Sequence, residues 1–279
     1  MKLLALAIFI ASTSAFGESF LPLNNSKIPA HQKLMNVGIT EEQYNSVIKK
    51  IETIYDPEFS AAKKSLLINS NWEDGTVNAF SENPDPSTPT IILYGGLARH
   101  PSITRDGFAL VLCHEIGHHL GGAPKISSDL WASAEGQADY FASLKCIRRF
   151  FQDEDNEKAL SVVEVPEVLR EECEKIHSEE EARICIRSGL AAVSVEALVA
   201  EIAMQKPGKF QTPDKSKVKK TNEGYPSAQC RLDTFFQGAL CDQPVSESVS
   251  DVDPAKGTCH EKNHSLIGLR PKCWFKSRL

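Results

Sequence analysis

The sequence predicts a mainly helical α+β fold in which a small sheet precedes a histidine-bearing helix. Three observations lead there. Apolar residues recur at helical spacing in several long stretches after residue 40, while β-like runs are confined to a window of about 30 residues beginning at Lys64. The third is "LCHEIGHHLGG", residues 112–122, a helical pattern ended by two glycines and followed by Pro124. A chain of 279 residues with 41% hydrophobic residues is long enough to bury an ordinary core.

In chain order, "MKLLALAIFIASTSAFGES" places Lys2 before an apolar run from Leu3 to Ala11 and small residues around Ala15 and Gly17. This layout predicts a signal peptide over 1–17 and an exported protein, periplasmic or secreted; the run is shorter than the roughly 18 apolar residues that span a membrane. A polar extension, 18–36, follows. Thr40 with Gln43 forms a capping box, and Tyr44, Val47, Ile48, Ile51 and Ile54 line one face of a first helix. "KSLLINSNW" and "TVNAFSE" flank Glu73-Asp74-Gly75, which reads as a hairpin turn. "TPTIILYGG" is a third strand after the proline-rich turn at 84–89.

Thr104 caps a helix over 105–120, and Ser127 or Ser128 caps the next, from Asp129 to about Phe151. Two further helices are expected at 166–177 and 179–204, then a Lys-rich linker at 206–224 and a short helix begun by Ser227. These elements make one domain, 37–241, with a loop-rich cysteine-containing tail at 242–279. No long apolar run follows the leader, so no transmembrane anchor is expected after its removal.

Eight cysteines behind an export signal read as disulfides. Cys113 with Cys146 and Cys173 with Cys185 are natural pairs; Cys230, Cys241, Cys259 and Cys273 allow three pairings. No Cys-x-x-Cys spacing occurs, which disfavours a cysteine zinc site. A net charge of −6 offers no basic field for nucleic acid.

His114 and His118 are four apart, so on a helix both imidazoles face one point and can hold one zinc ion at about 2.0–2.1 Å. Glu115, one position round, can take a proton from a zinc-activated water without being a ligand. His119 points elsewhere, either supporting a ligand or lying at the surface. Pro124 stands where a metzincin carries its third histidine, which excludes that class. The third ligand is expected from "SAEGQADYFASL": Glu135 lies 17 residues after His118, and Asp139, on the same helical face, can accept the free N–H of a ligand histidine. Both acids sit among apolar residues, where a carboxylate needs a partner.

"TVNAFSE", "CHEIGHHLGG", "EGQADYFA" and "YPSAQCR" together resemble, in order, the landmarks of the HtpX and CAAX prenyl protease family of gluzincin metallopeptidases, over about residues 70–235. The resemblance implies a zincin-like domain, one zinc ion held by His114, His118 and Glu135, Glu115 as general base and Asp139 as their support. It also implies a substrate-binding edge strand at Ile91, Ile92, Leu93, Tyr94 and Gly95, with Tyr225 and Arg231 donating to the oxyanion. This chain departs from the family in carrying Tyr225 where the family has histidine, in the short interval before Glu135, and in lacking a transmembrane segment after the leader. The function so implied is an exported zinc metalloendopeptidase acting on protein or peptide. A thermolysin-like or aminopeptidase-like gluzincin and a non-catalytic zinc-stabilised binding module are the alternatives.

Overall fold

Thr40 opens the first helix as its side chain predicts. In the computed structural model, which describes residues 17–31 and 38–277, Thr40 Oγ1 accepts from Gln43 N at 3.2 Å and Gln43 Oε1 accepts from Thr40 N at 3.0 Å. The expected leader, apart from Gly17, and the end of the N-terminal extension lie outside the described residues. Helix α1 (Glu41–Ala61) buries Tyr44, Val47, Ile48, Ile51, Tyr55 and Phe59 on one face.

The sheet differs from its sequence reading. Strands β1 (Glu18–Ser19), β2 (Leu67–Asn71), β3 (Ala79–Glu82) and β4 (Thr90–Tyr94) lie in the order β1-β3-β4-β2. The expected hairpin between β2 and β3 does not form: β2 pairs parallel with β4, and β3 pairs antiparallel with the other side of β4. The reason is a close crossing. The segment after β2 passes over the end of β4, where a Cβ on Gly95 would run into the Trp72 carbonyl and one on Gly96 into that of Gly75. Arg99 holds this crossing, donating to the carbonyls of Trp72 (2.5 Å), Asp74 (3.2 Å) and Ile28 (2.7 Å). Consequently Ile91, Ile92, Leu93 and Tyr94 form an interior strand with both ladders used, and Gly95 begins the one-turn helix α2 (Gly95–Ala98). The expected substrate-binding edge is therefore not at 91–95.

Helix α3 (Arg105–Leu120), capped by Thr104 Oγ1 accepting from Gly107 N at 3.0 Å, is buried all round from Gly107 to His118. A helix without a solvent face belongs at the centre. It packs against α1, β3, α4 (Glu135–Phe141) and α8 (Glu179–Ile202).

The helix expected from Asp129 starts later. Residues 125–133 instead form a two-stranded ribbon, β5 (Lys125–Ile126) with β6 (Asp129–Ser133). Trp131, whose spacing fits the following helix, stacks on His119 with ring centroids 4.9 Å apart, and this holds the segment extended. Helix α4 then runs through a π-helical segment (Ala142–Cys146) into α5 (Ile147–Phe151). After α6 (Asn156–Leu160), helices α7 (Glu167–Ile176) and α8 lie where their patterns predict, and Ser227 caps α9 (Ala228–Leu240), accepting from Cys230 N at 3.2 Å.

Four disulfides form. Cys113–Cys146 and Cys173–Cys185 are the pairs read from the sequence, and Cys230–Cys273 with Cys241–Cys259 complete the set. The latter two tie the tail to α9, and Trp274 of the tail is fully buried against Gly136 of α4. Among the described residues no helix is long and apolar enough to cross a membrane.

The Cys113–Cys146 bridge closes a 33-residue separation between the centre of α3 and the helix carrying Glu135. Replacing both cysteines with serine is expected to cost about 3–4 kcal/mol by loop-closure entropy, read as a lower midpoint in denaturant unfolding.

Candidate metal centre

Gly117 sets the distance between α3 and α4. A Cβ there would lie 2.8 Å from the Ala138 carbonyl oxygen and 2.9 Å from its Cα, so only glycine lets the two backbones approach this closely. That approach carries Glu135, the first residue of α4, across the face formed by His114 and His118. The three are buried, with no more than 1% exposure.

Their protons are accounted for elsewhere. His118 Nδ1 lies 2.9 Å from the Ser133 carbonyl oxygen, which only accepts, so the proton sits on Nδ1. His114 Nδ1 donates in the same way to Asp139 Oδ1 at 2.7 Å. Burial holds both imidazoles neutral, pushing His114 below the usual histidine range and His118 well below it. Each Nε2 therefore presents a lone pair. The two Nε2 atoms are 3.1 Å apart, and the Glu135 oxygens lie 3.5 Å from them. No hydrogen joins these atoms, and both Glu135 oxygens lack a hydrogen-bond partner. Burial pushes Glu135 well above the usual carboxylate range. Two lone-pair nitrogens and a carboxyl that burial alone would keep protonated are matched by a cation that takes the place of that proton, and these residues can hold a metal ion.

Glu115 stands beside the cluster. Its Oε2 accepts from Ser81 Oγ of β3 at 2.6 Å, while Oε1 has no hydrogen-bond partner. Burial pushes its carboxyl up to about 8, against the opposing effects of the Ser81 hydrogen bond and the Arg231 charge.

Arg231, on the first turns of α9, binds Asp139 with both arms: Nε to Oδ2 at 2.8 Å and Nη2 to Oδ1 at 2.7 Å. Burial would raise Asp139, but Arg231 and His114 outweigh it and hold the carboxyl below its ordinary value. The chain of contacts Arg231–Asp139–His114 thus fixes the orientation of one imidazole. The remaining Arg231 donor, Nη1, reaches the Phe20 carbonyl at 2.8 Å, and Tyr225 Oη donates to the Ser19 carbonyl at 2.7 Å. His119 faces away from the cluster, onto Trp131.

The sequence reading did not find Ser81, Ser133 or Phe20. Ser81 lies within the "TVNAFSE" landmark, but its role depends on β3 packing against α3. Ser133 contributes only its carbonyl, which no side-chain pattern signals. Comparison with known proteins finds no matching family model, no similar curated protein and no similar solved structure.

Proposed function

We propose that this chain is an exported zinc metalloendopeptidase of zincin-like architecture, related through its motif order to the HtpX and CAAX prenyl proteases. The observation that carries the proposal is the convergence of two unprotonated imidazole nitrogens and an unpaired carboxylate beside a second carboxylate that is not part of the cluster. Two imidazoles and one carboxylate are a ligand set suited to zinc, which when bound polarises a carbonyl and lowers the pKa of water. Glu115 is the residue placed to move the proton. Ser81 anchors one of its oxygens, and once a cation bound beside it favours the ionised carboxylate against the effect of burial, the other oxygen is free to accept a proton from water and deliver it to the departing amine. Asp139 and Ser133 keep both ligand nitrogens unprotonated, and Arg231 keeps Asp139 ionised.

The complete burial of the ligands favours a second reading, a purely structural metal site. Structural zinc is usually closed by four protein ligands, whereas the group here comprises three. Elemental analysis of the purified chain tests the zinc site that both readings share. One zinc per chain is expected, retained in Glu115→Gln and lost in His114→Ala and in Glu135→Ala. A folded chain without zinc would refute both readings.

A further inference from the structure

The chain's own N-terminal segment packs against the candidate metal centre. Phe20 is fully buried, its ring edge-on to the His114 imidazole with centroids 5.1 Å apart and beneath the Arg231 guanidinium at 4.5 Å. The segment is extended and bound on both sides. Toward the sheet, β1 runs antiparallel to β3, with Glu18 opposite Ser81, and Phe20 N donates to the Ala79 carbonyl at 3.0 Å. Asn78 grips Leu21 twice: its Oδ1 accepts from Leu21 N at 3.0 Å and its Nδ2 donates to the Leu21 carbonyl at 3.1 Å. Toward α9, Tyr225 and Arg231 donate to the carbonyls of Ser19 and Phe20.

Three features make this segment look like a ligand. It lies on β3, the strand whose Ser81 holds Glu115. Its carbonyls accept from Tyr225 and from Arg231, the residue that also binds Asp139, the acceptor of the His114 N–H. And an extended chain added to a strand edge is how folded proteins hold peptides, with backbone bonds for affinity and side-chain pockets for selectivity. Just beyond it Leu23 is 84% exposed, and the chain then runs on beside residues 75–77.

We propose that Glu18–Leu21 fills the substrate cleft of this enzyme, so that the site opens to an extended peptide bearing a bulky apolar residue at the Phe20 position only when the segment is displaced. This rests on the metallopeptidase reading and adds to it a substrate class and a means of control. The peptide-pairing edge becomes β3, in place of residues 91–95.

The test uses the full, zinc-loaded chain with the recognition site of a sequence-specific protease inserted between Leu23 and Asn24. Two rates are followed before and after cutting: removal of zinc by a chelator, and hydrolysis of unfolded casein. Both are expected to be low in the uncut chain and to rise at least about tenfold once the fragment has left. Adding the peptide Gly-Glu-Ser-Phe-Leu-Pro-Leu-Asn should restore both low rates, and the same peptide with alanine for phenylalanine should not. Phe20→Ala in the cut chain ensures that the fragment leaves. The uncut Asn78→Ala chain, which loses both side-chain bonds to Leu21, should give up zinc several-fold faster while still folded. A folded chain that has lost the fragment and shows unchanged zinc removal and hydrolysis would overturn the proposal, as would full hydrolysis by the uncut chain. Faster zinc removal, reversed by the peptide, with casein left intact would uphold the segment as the cover of the metal and refute the peptidase reading instead.

Discussion

Glu115→Gln is expected to keep its zinc and to lose at least about 10²-fold, and up to about 10⁴-fold, of the hydrolytic rate measured after displacement of the N-terminal segment. The change is nearly isosteric. Ser81 Oγ can still donate to the side-chain oxygen, and the ligands His114, His118 and Glu135 keep their own partners, so the fold and the metal site have no reason to move. What is removed is a group able to accept a proton at the unpaired Oε1 position. Single-turnover hydrolysis of an unfolded protein, with zinc content measured on the same sample, reads the two effects separately. A variant that retains zinc and cleaves at the parent rate would remove Glu115 from the mechanism.

Arg231→Met is expected to be the most destabilising single change near the site, at about 3–5 kcal/mol. Arg231 and Asp139 are both essentially without solvent contact, and the pair is bidentate at 2.7 and 2.8 Å. Methionine fills much of the volume but leaves the Asp139 charge buried with only the His114 N–H for company. The carboxyl then moves up toward protonation, and its grip on the His114 tautomer weakens. Zinc affinity should fall about 10–100-fold. The double variant Arg231→Met with Asp139→Leu should recover part of the stability, because no unpaired charge remains, but not the zinc affinity, because His114 has lost its acceptor. Denaturant unfolding and competition with a zinc indicator measure the two quantities. Recovery of both by the double variant would show that Asp139 does not orient His114.

The same two residues show where sequence reading reaches its limit. Arg231 and Asp139 are 92 positions apart, and nothing local to either specifies that they meet. Their separate motifs mark them as notable; the bond between them, and the passage of the Phe20 carbonyl to the remaining guanidinium nitrogen, appear only when α9, α4 and the N-terminal segment are packed together. Asn78 is a similar case. It belongs to a landmark, yet its work is to hold Leu21, 57 positions away.

By itself the sequence determined the features that act within a few turns of backbone. The caps at Thr40, Thr104 and Ser227, the helix ends beyond His118, the stacking of His114 over His118 and the positions of α7 and α8 all follow from side chains interacting with their own neighbourhood. The 3.6-residue period is a local property, so a pattern of apolar residues announces a helix wherever it lies. The tertiary structure alone decided the strand order, because a strand's pattern is silent about its partner. That order followed from the tight crossing over Gly95 and Gly96, which moved β4 to the interior and left β3 to be covered by β1. It also placed Phe20 against His114 of the candidate metal centre, since closure of a site joins segments that share no local interaction and is settled only by the packing of the whole chain.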